Sequence, residues 1–280
     1  MRVLVTGARG MLGSELMPFL AARHEVSGTD IHELDLRDLA ATRDRVQCFS
    51  PNVIVHCAAM TKVDACEEDP DAAYAVNALA TRNVALCSAE LGASLVYIST
   101  DFVFDGTKQE PYNEYDMVSP VSVYGRSKLA GERYVRQFCP KSFILRTAWL
   151  YGKNGWNFVD WVISTMKDKG HLSIVTDQKG SPTWTFDLCR QIETLFMSDR
   201  FGLYHASGLG AVTRFDWTQK ILTMAGIDKG SLQPITSEQL PQKAKRPANS
   251  CLDLMALRLE GLCVMRPWEH SLEDYIKSKE

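Results

Sequence analysis

The stretch Thr6-Gly7-Ala8-Arg9-Gly10-Met11-Leu12-Gly13 indicates the fold class of this chain. It follows the apolar run Val3-Leu4-Val5 and precedes a helical pattern over residues 11–22, so it joins a strand to a helix. Glycines at this spacing permit a tight turn, close approach of the backbone to a pyrophosphate, and close packing of helix on sheet. A purely structural turn is the alternative, but the position directly after a first strand favours a dinucleotide-binding loop. The candidate cofactor contacts in the loop are Gly7, Gly10, Met11 and Leu12.

Apolar runs alternate with helical patterns through the first half of the chain. The predicted strands cover residues 3–5, 25–30, 53–56, 94–98 and 142–145, and the predicted helices cover 11–22, 72–91 and 123–137. Strands that are apolar on both faces and are separated by helices indicate a parallel sheet covered on both sides. Right-handed crossovers then give a doubly wound, Rossmann-type α/β fold.

The pattern changes after Trp149, where loops interrupt shorter elements. One more strand is predicted at 202–206, and a helix at 213–225 with Thr213 as its cap. We therefore expect two domains, a dinucleotide-binding domain and a smaller α+β substrate domain. The first covers 1–150 with a return of the chain at about 182–206, and the second covers 151–181 and 207–280.

Composition excludes several classes of protein. The 31 Lys and Arg residues against 34 Asp and Glu residues give a net charge of −3, which argues against nucleic acid or an anionic membrane as partner. No apolar run approaches the roughly 18 residues of a membrane span. The eight cysteines form no Cys-x-x-Cys pair and show no zinc spacing with the histidines. We therefore expect reduced thiols in the cytoplasm and no metal.

Two residues near the loop bear on the type of dinucleotide. Asp30 ends the second predicted strand, 20 residues after Gly10, where a carboxylate binds the adenosine ribose hydroxyls of NAD. Arg9 lies inside the loop and suits the 2′-phosphate of NADP. The two signals conflict, so we expect use of either NADPH or NADH. Asp35 and Leu36 follow closely and are candidates to flank the adenine.

A second group of residues suggests chemistry on a carbonyl. Tyr124 and Lys128 lie four residues apart on a predicted helix, which puts both side chains on one face. A lysine cation beside a phenol is expected to lower the phenol pKa, and Tyr124 is then placed to protonate a carbonyl oxygen as hydride arrives at carbon. Thr100 follows the fourth predicted strand, at the edge where open α/β sheets bind ligands. Tyr-x-x-x-Lys is common by chance, so the prediction rests on the combination.

Together these motifs resemble those of the extended short-chain dehydrogenase/reductase superfamily. Within it, the run Ser99-Thr100-Asp101-Phe102-Val103-Phe104-Asp105-Gly106 resembles a signature of the dTDP-4-dehydrorhamnose reductase family. The family has Tyr at the position of Phe102, so a hydroxyl is lost there. Further similar segments are 145–152, 177–183 and 246–250.

The resemblance implies reduction of the 4-keto group of a dTDP-sugar, dTDP-4-dehydro-L-rhamnose, to dTDP-L-rhamnose by a monomer or homodimer. It implies that Tyr124 is the general acid, that Lys128 is its partner and binds the cofactor, and that Thr100 orients the carbonyl. The further candidates it implies are Ala58 and Ala59 for the cofactor, and Thr61, Val63, Thr100, Asp101 and Trp149 for the sugar. Arg246 and Asn249 are candidates for the nucleotide end, because arginine binds phosphate well; a structural turn is nearly as good an interpretation.

Two alternatives remain open. One is reduction of a different 4-keto nucleotide sugar, because pocket shape decides stereochemistry and one sequence does not give it. The other is a non-catalytic role, since the regulatory beta subunit of methionine adenosyltransferase resembles the same family. Thr100 and the segments 147–149 and 177–183 favour the reductase.

Overall fold

The computed structural model describes residues 1–279. Its strands are β1 (Arg2–Thr6), β2 (Glu25–Thr29), β3 (Val53–His56), β4 (Ser94–Thr100), β5 (Ser142–Thr147), β6 (Leu150–Tyr151), β7 (His171–Val175), β8 (Lys179–Gly180), β9 (Thr183–Trp184), β10 (Gly202–His205), β11 (Val212–Thr213) and β12 (Ser231–Ile235).

The helices lie between these strands. They are α1 (Met11–Ala21), α2 (Leu39–Phe49), α3 (Val63–Glu68), α4 (Pro70–Tyr74), α5 (Thr81–Leu91), α6 (Val123–Phe138), α7 (Phe158–Lys169), α8 (Thr185–Phe196), α9 (Arg214–Met224), α10 (Met255–Leu259) and α11 (Trp268–Lys277). Short 3₁₀ turns cover Asp101–Val103 and Ser237–Gln239. Within the described part of the chain, no helix is both long enough and apolar enough to cross a membrane.

The main sheet has six strands in the order β10-β5-β4-β3-β1-β2, and every pair in it is parallel. The predicted doubly wound α/β fold is confirmed. The connection from β1 runs to one side, to β2, and the chain then returns to β3 on the other side of β1. This reversal opens a crevice at the carboxyl ends of β1 and β3, which is where such sheets bind ligands.

The chain contains two main groups of buried apolar side chains. One packs on the two faces of the six-stranded sheet and includes Val3, Leu145 and Leu188. The other joins α7, α9 and α11 around Trp217 and contains the parallel pair of β7 and β12. The ring of Trp149 contacts both groups, so this residue lies where they meet.

The helix predicted over residues 72–91 is present, but it contains an irregular turn. The structure has α4, then a π-helical turn over Ala75–Ala80, then α5. The π turn contains Asn77, which is fully buried and makes hydrogen bonds away from its own helix. Such π turns are rare and occur frequently at functional sites, and the sequence analysis treated this segment as one regular helix.

Candidate active site

The glycine loop between β1 and α1 adopts a conformation that depends on its glycines. Gly7 has φ +69°, and a Cβ on it would lie 2.6 Å from the backbone nitrogen of Ala58 at the end of β3. A Cβ on Gly13 would overlap the carbonyl oxygen of Gly7, so the helix packs directly against the turn. The loop after β1 and the loop after β3 therefore touch across the crevice.

The start of α1 has the features of an anion-binding site. Gly10 is the N-cap residue and supplies no side chain to cap the helix. The first N–H groups of a helix have no partner within it, and they carry partial positive charge. Leu12 is buried in the core of the sheet, so it can contact a ligand only through its backbone, while Met11 is half-buried. This arrangement fits the pyrophosphate of a dinucleotide.

The structure brings Arg9 and Asp30 together at the end of β2. The Asp30 carboxylate accepts hydrogen bonds from the backbone N–H groups of Arg9 at 2.9 Å and of Ile31 at 2.8 Å. The exposed Arg9 guanidinium pairs with Glu33, a residue that the sequence analysis did not consider. One carboxylate and one cation thus lie side by side where the adenosine ribose of a dinucleotide would bind.

The two candidates for the adenine differ in what the structure offers. Asp35 is half-buried, and its carboxylate pairs with Arg37 at 2.6 Å, which holds the pKa of Asp35 below its usual value. The Leu36 side chain is only 8% exposed and packs under the sheet, while its carbonyl accepts a hydrogen bond from Asn83. The Leu36 side chain therefore belongs to the core, and the expectation that Asp35 and Leu36 flank the adenine stays a prediction.

The three residues with expected catalytic roles meet at the carboxyl end of β4. Thr100 is the last residue of β4, and Tyr124 and Lys128 lie in the first two turns of α6, which packs on β4. Ser122 caps this helix by accepting the N–H of Gly125 at 3.1 Å. The Tyr124 ring is half-buried and meets Phe102 edge to face at 5.5 Å.

Burial controls the charges of Tyr124 and Lys128. It raises the pKa of Tyr124 above the usual value of a phenol, while the Thr100 hydroxyl lowers it and Asp101 raises it. It lowers the pKa of Lys128 to about 7, and the Lys128 Nζ lies 4.2 Å from the centre of the Tyr97 ring. The expectation that Lys128 brings the Tyr124 pKa towards neutrality is corrected, because loss of solvation is the largest influence on that pKa and raises it.

Asp101 shares a hydrogen bond with Thr100. The Thr100 hydroxyl donates to Asp101 Oδ1 at 2.9 Å and accepts the N–H of Phe102 at 3.1 Å. Asp101 is 2% exposed, and burial raises its pKa to about 6 against the opposing effects of Thr100 and Arg214. With Asp101 ionised, the Thr100 hydrogen points to Asp101, so Thr100 presents a lone pair to Tyr124.

The loop after β3 is held by the buried Asn77. The Asn77 side chain accepts the N–H of Met60 at 2.8 Å, donates to its carbonyl at 3.1 Å, and donates to the hydroxyl of Ser127 on α6 at 3.0 Å. Asn77 thereby ties this loop to the catalytic helix. The loop carries the candidates Ala58 and Ala59, which are half-buried, and Thr61, which is exposed; Val63 begins α3.

A buried ion pair that the sequence did not reveal supports the catalytic helix. Arg146 on β5 donates two hydrogen bonds to Glu132 on α6, at 2.9 and 2.8 Å, and both side chains are almost fully buried. The hydroxyl of Ser99 also donates to Glu132, at 2.6 Å. Glu132 lies one turn after Lys128 on the same face, but only the structure shows its partners, which are distant in sequence.

Trp149 lies between the two groups of buried side chains and has φ +46°, a rare backbone conformation for a residue with a side chain. Its ring stacks on Trp217 at 5.6 Å between centroids. The guanidinium of Arg214, another residue that the sequence analysis did not single out, lies 3.5 Å from the centre of the Trp149 ring. Strain at a cleft residue commonly accompanies a functional role.

The structure separates the two candidates for the nucleotide end. Arg246 pairs with Asp64 on α3 at 3.1 Å and stays partly accessible. Asn249 is 8% exposed, and its amide donates to the backbone carbonyls of residues 108–110 while its oxygen accepts the N–H of Cys251. The polar atoms of Asn249 are thus already bonded to the backbone, and its assignment to the nucleotide end stays a prediction.

A model of the family described as the RmlD substrate binding domain matches residues 1–280. The chain belongs to this family. An RmlD-family relative, the dTDP-4-dehydrorhamnose reductase of Streptomyces griseus, is 40% identical over 98% of this chain and 92% of its own. The spore coat polysaccharide biosynthesis protein SpsK of Bacillus subtilis is 37% identical over 99% and 98% of the two chains.

Solved structures of RmlD-type reductases superimpose on the whole chain. The dTDP-4-dehydrorhamnose reductase of Clostridium acetobutylicum has a TM-score of 0.97 at 40% identity, over 100% of this chain and 99% of its own. The reductase of Bacillus anthracis, solved in complex with NADP, has a TM-score of 0.97 at 41% identity, over 99% of both chains. The family expected from the sequence motifs is confirmed.

Proposed function

We propose that this protein is an NAD(P)H-dependent reductase that converts dTDP-4-dehydro-L-rhamnose to dTDP-L-rhamnose. The observation that carries the proposal is the meeting of Thr100, Tyr124 and Lys128 at the carboxyl end of β4, beside the glycine loop. Family membership and the names of the relatives at 35–40% identity support the choice of substrate. The roles of the individual residues given below are proposed together with this activity.

The chemistry assigned to the residues follows from their protonation states. The reduced nicotinamide supplies the hydride that reaches the keto carbon. Tyr124 is neutral because its pKa is raised, so its phenol gives a proton to the keto oxygen, and the product is an alcohol. Thr100 and Asp101 form the hydrogen-bonded side of the pocket, and Trp149 forms its aromatic wall. Ala58, Ala59 and Lys128 are assigned to the nicotinamide side of the cofactor, and Thr61 and Val63 to the sugar.

The choice of cofactor follows from the charges near the ribose site. Gly7, Gly10 and the N–H groups of Met11 and Leu12 are assigned to the pyrophosphate. Asp30 suits ribose hydroxyls, and the exposed Arg9 suits a 2′-phosphate once it leaves Glu33. We therefore expect kcat/KM for NADPH and NADH to agree within about a hundredfold, roughly 2.7 kcal/mol of discrimination. A larger ratio in either direction would contradict dual use.

The proposal extends to organisation and location. We infer a dinucleotide-binding domain of 1–150 with 182–206 and a substrate domain of 151–181 with 207–280, supported by the two groups of buried side chains. We also infer a cytoplasmic monomer or homodimer. All eight cysteines are free thiols, which suits a reducing compartment.

One related substrate is a second candidate. A dTDP-4-keto-6-deoxy-D-glucose reductase of Streptomyces niveus is 37% identical over 97% of this chain and 95% of its own. That sugar differs from the first by not having passed through a 3,5-epimerase. The two candidates are therefore separated by whether turnover requires epimerisation of the sugar before reduction.

The test is a coupled assay that follows oxidation of the reduced nicotinamide. dTDP-4-keto-6-deoxyglucose is mixed with this protein and NADPH, and then NADH, with and without a 3,5-epimerase. Oxidation that needs both proteins, with dTDP-L-rhamnose as product, is the expected result. Oxidation without the epimerase supports the second candidate. No oxidation despite binding of NADPH would refute both and favour a non-catalytic role.

The assignment of Tyr124 is tested by Tyr124→Phe. We expect kcat to fall about a hundredfold or more, because general acid catalysis contributes about 10²–10⁴-fold. Tyr134→Phe is the matched control, because this tyrosine lies on the same helix and stacks on Phe138. Near-normal turnover of Tyr124→Phe would rule out the assigned mechanism.

A further inference from the structure

The side chain of Arg214 is held in the cleft by aromatic rings. Its guanidinium carbon lies 3.5 Å from the centre of the Trp149 ring and 4.7 Å from that of Phe158. Its backbone N–H donates to the carbonyl of Gln178 at 3.0 Å, and Thr213 caps the helix that it begins. Stacking and the start of the helix fix the direction of the Arg214 side chain. No carboxylate among residues 1–279 forms an ion pair with its guanidinium.

The hydrogen-bonding capacity of Arg214 is unused. A guanidinium has five N–H donors, yet no acceptor among residues 1–279 receives a hydrogen bond from this one. The side chain is half-buried, and burial lowers its pKa to about 9, so it remains a cation at neutral pH. Leaving a half-buried charge without acceptors is costly, and a ligand that supplies acceptors would remove that cost.

The charges around Arg214 indicate the chemistry of the ligand. Asp101, beside the catalytic Thr100, raises the pKa of Arg214, and Arg246 lowers it, so both charges act on this guanidinium. Arg214 thus lies within electrostatic reach of both the catalytic end of the cleft and the Arg246 segment. Two cations near one cleft favour a ligand with two negative charges close together. Asp101 does not itself serve as the acceptor, because its Oδ2 makes no hydrogen bond with any described residue.

We propose that Arg214 binds the diphosphate group of the dTDP-sugar, with its planar fork donating to the phosphate oxygens. Arginine on an aromatic face is well suited to this, since the stacked plane leaves its edge free for two parallel hydrogen bonds. The inference rests on the proposed function and adds to it the residue that recognises the nucleoside diphosphate. The cofactor also carries a pyrophosphate, but that group is assigned to the glycine loop at the start of α1.

The test measures binding of dTDP, of NADPH and of inorganic pyrophosphate, each alone, by titration calorimetry. The variants are Arg214→Gln, Arg214→Lys, and the control Lys220→Gln, which removes an exposed cation from the same helix. We expect the Kd of dTDP to rise about tenfold or more in Arg214→Gln, because a charge-assisted hydrogen bond is lost. Arg214→Lys keeps the charge without the fork, so its loss should be smaller.

The outcomes separate this inference from the proposed function. A change in dTDP affinity below threefold in both Arg214 variants, or no binding of dTDP to the unchanged protein, would overturn the role of Arg214. So would an equal loss of NADPH affinity, which would assign Arg214 to the cofactor. If Arg214→Gln does not fold, Arg214→Lys decides. The unchanged protein could fail in the coupled assay while its affinity for dTDP still depends on Arg214. That result would contradict the proposed reductase activity and leave the role of Arg214 standing.

Discussion

The buried carboxyl of Asp101 predicts a dependence of folding stability on pH that one substitution should remove. Burial raises the pKa of Asp101 to about 6 from an ordinary value of 3.8. At 1.36 kcal/mol for each pH unit, this difference corresponds to about 3 kcal/mol between the protonated and ionised folded states. The side chain is 2% exposed, so solvent screens little of this effect.

The direction of this pH dependence follows from whether the folded or the unfolded protein holds the proton of Asp101 more tightly. The folded pKa lies above the unfolded one, so the stabilising contribution of the protonated carboxyl is present below about pH 4. It is lost as the pH rises to about 6 and beyond, and between pH 5 and 7 the loss is about 1 kcal/mol. The hydrogen bonds from Ser250 and Thr100 and the positive charge of Arg214 favour the carboxylate, but burial outweighs them. Tyr124 and Cys251 do not titrate in this range, because burial raises the pKa of both.

Asp101→Asn keeps the shape of the side chain and cannot ionise. The free energy of unfolding in urea is measured at pH 5 and pH 7 for the unchanged protein, for Asp101→Asn and for Asp168→Asn, an exposed control. We expect the variant to lose about 1 kcal/mol less than the unchanged protein between the two pH values, and the control to behave as the unchanged protein does. If Asp101→Asn loses just as much, the carboxyl is not titrating as its burial requires.

Two other substitutions test the roles given to Lys128 and Asn249. Lys128→Met should lower both the affinity for NADPH and kcat, because Lys128 is assigned both to the cofactor ribose and to support of Tyr124. Steady-state kinetics measures both effects. Unchanged kcat and KM would contradict this double role. Asn249→Ala should destabilise the fold by about 1–3 kcal/mol in urea, because it leaves the buried N–H of Cys251 without its acceptor and the carbonyls of residues 108–110 without their donor. The KM for the dTDP-sugar should stay within about twofold. A large rise in KM with unchanged stability would instead indicate that Asn249 contacts the substrate.

Local patterns were sufficient to predict the sheet. The strands of the first half are short apolar runs, except for the edge strand β2, and the glycine loop identifies which strand comes first. The same patterns also locate α1 and α6 to within one residue at each end. These elements were predictable because a strand buried on both faces must be apolar throughout, whatever it packs against.

Contacts between distant residues were not predictable in this way. The polar atoms of Asn249 bind a loop about 140 residues earlier. The carboxylate of Glu132 on helix α6 binds Arg146 on strand β5. Arg214 stacks on Trp149 from a helix that begins 65 residues later in the chain. A polar side chain in a sequence shows what it can bind, and only the fold decides whether backbone, another side chain or a ligand takes up that capacity.

The electrostatics of the catalytic pair show how much depends on the fold. Tyr and Lys four residues apart suggest a lysine that acts on a phenol, but burial affects the two in opposite directions. It keeps the Tyr124 phenol neutral, with its proton available, and brings the pKa of Lys128 to about 7. The carboxylate of Glu132, one turn further along, raises the pKa of Lys128 and so opposes its loss of charge. If Lys128 binds the cofactor ribose as proposed, Glu132 would aid it by favouring the charged lysine, since a neutral lysine would bind ribose hydroxyls less strongly.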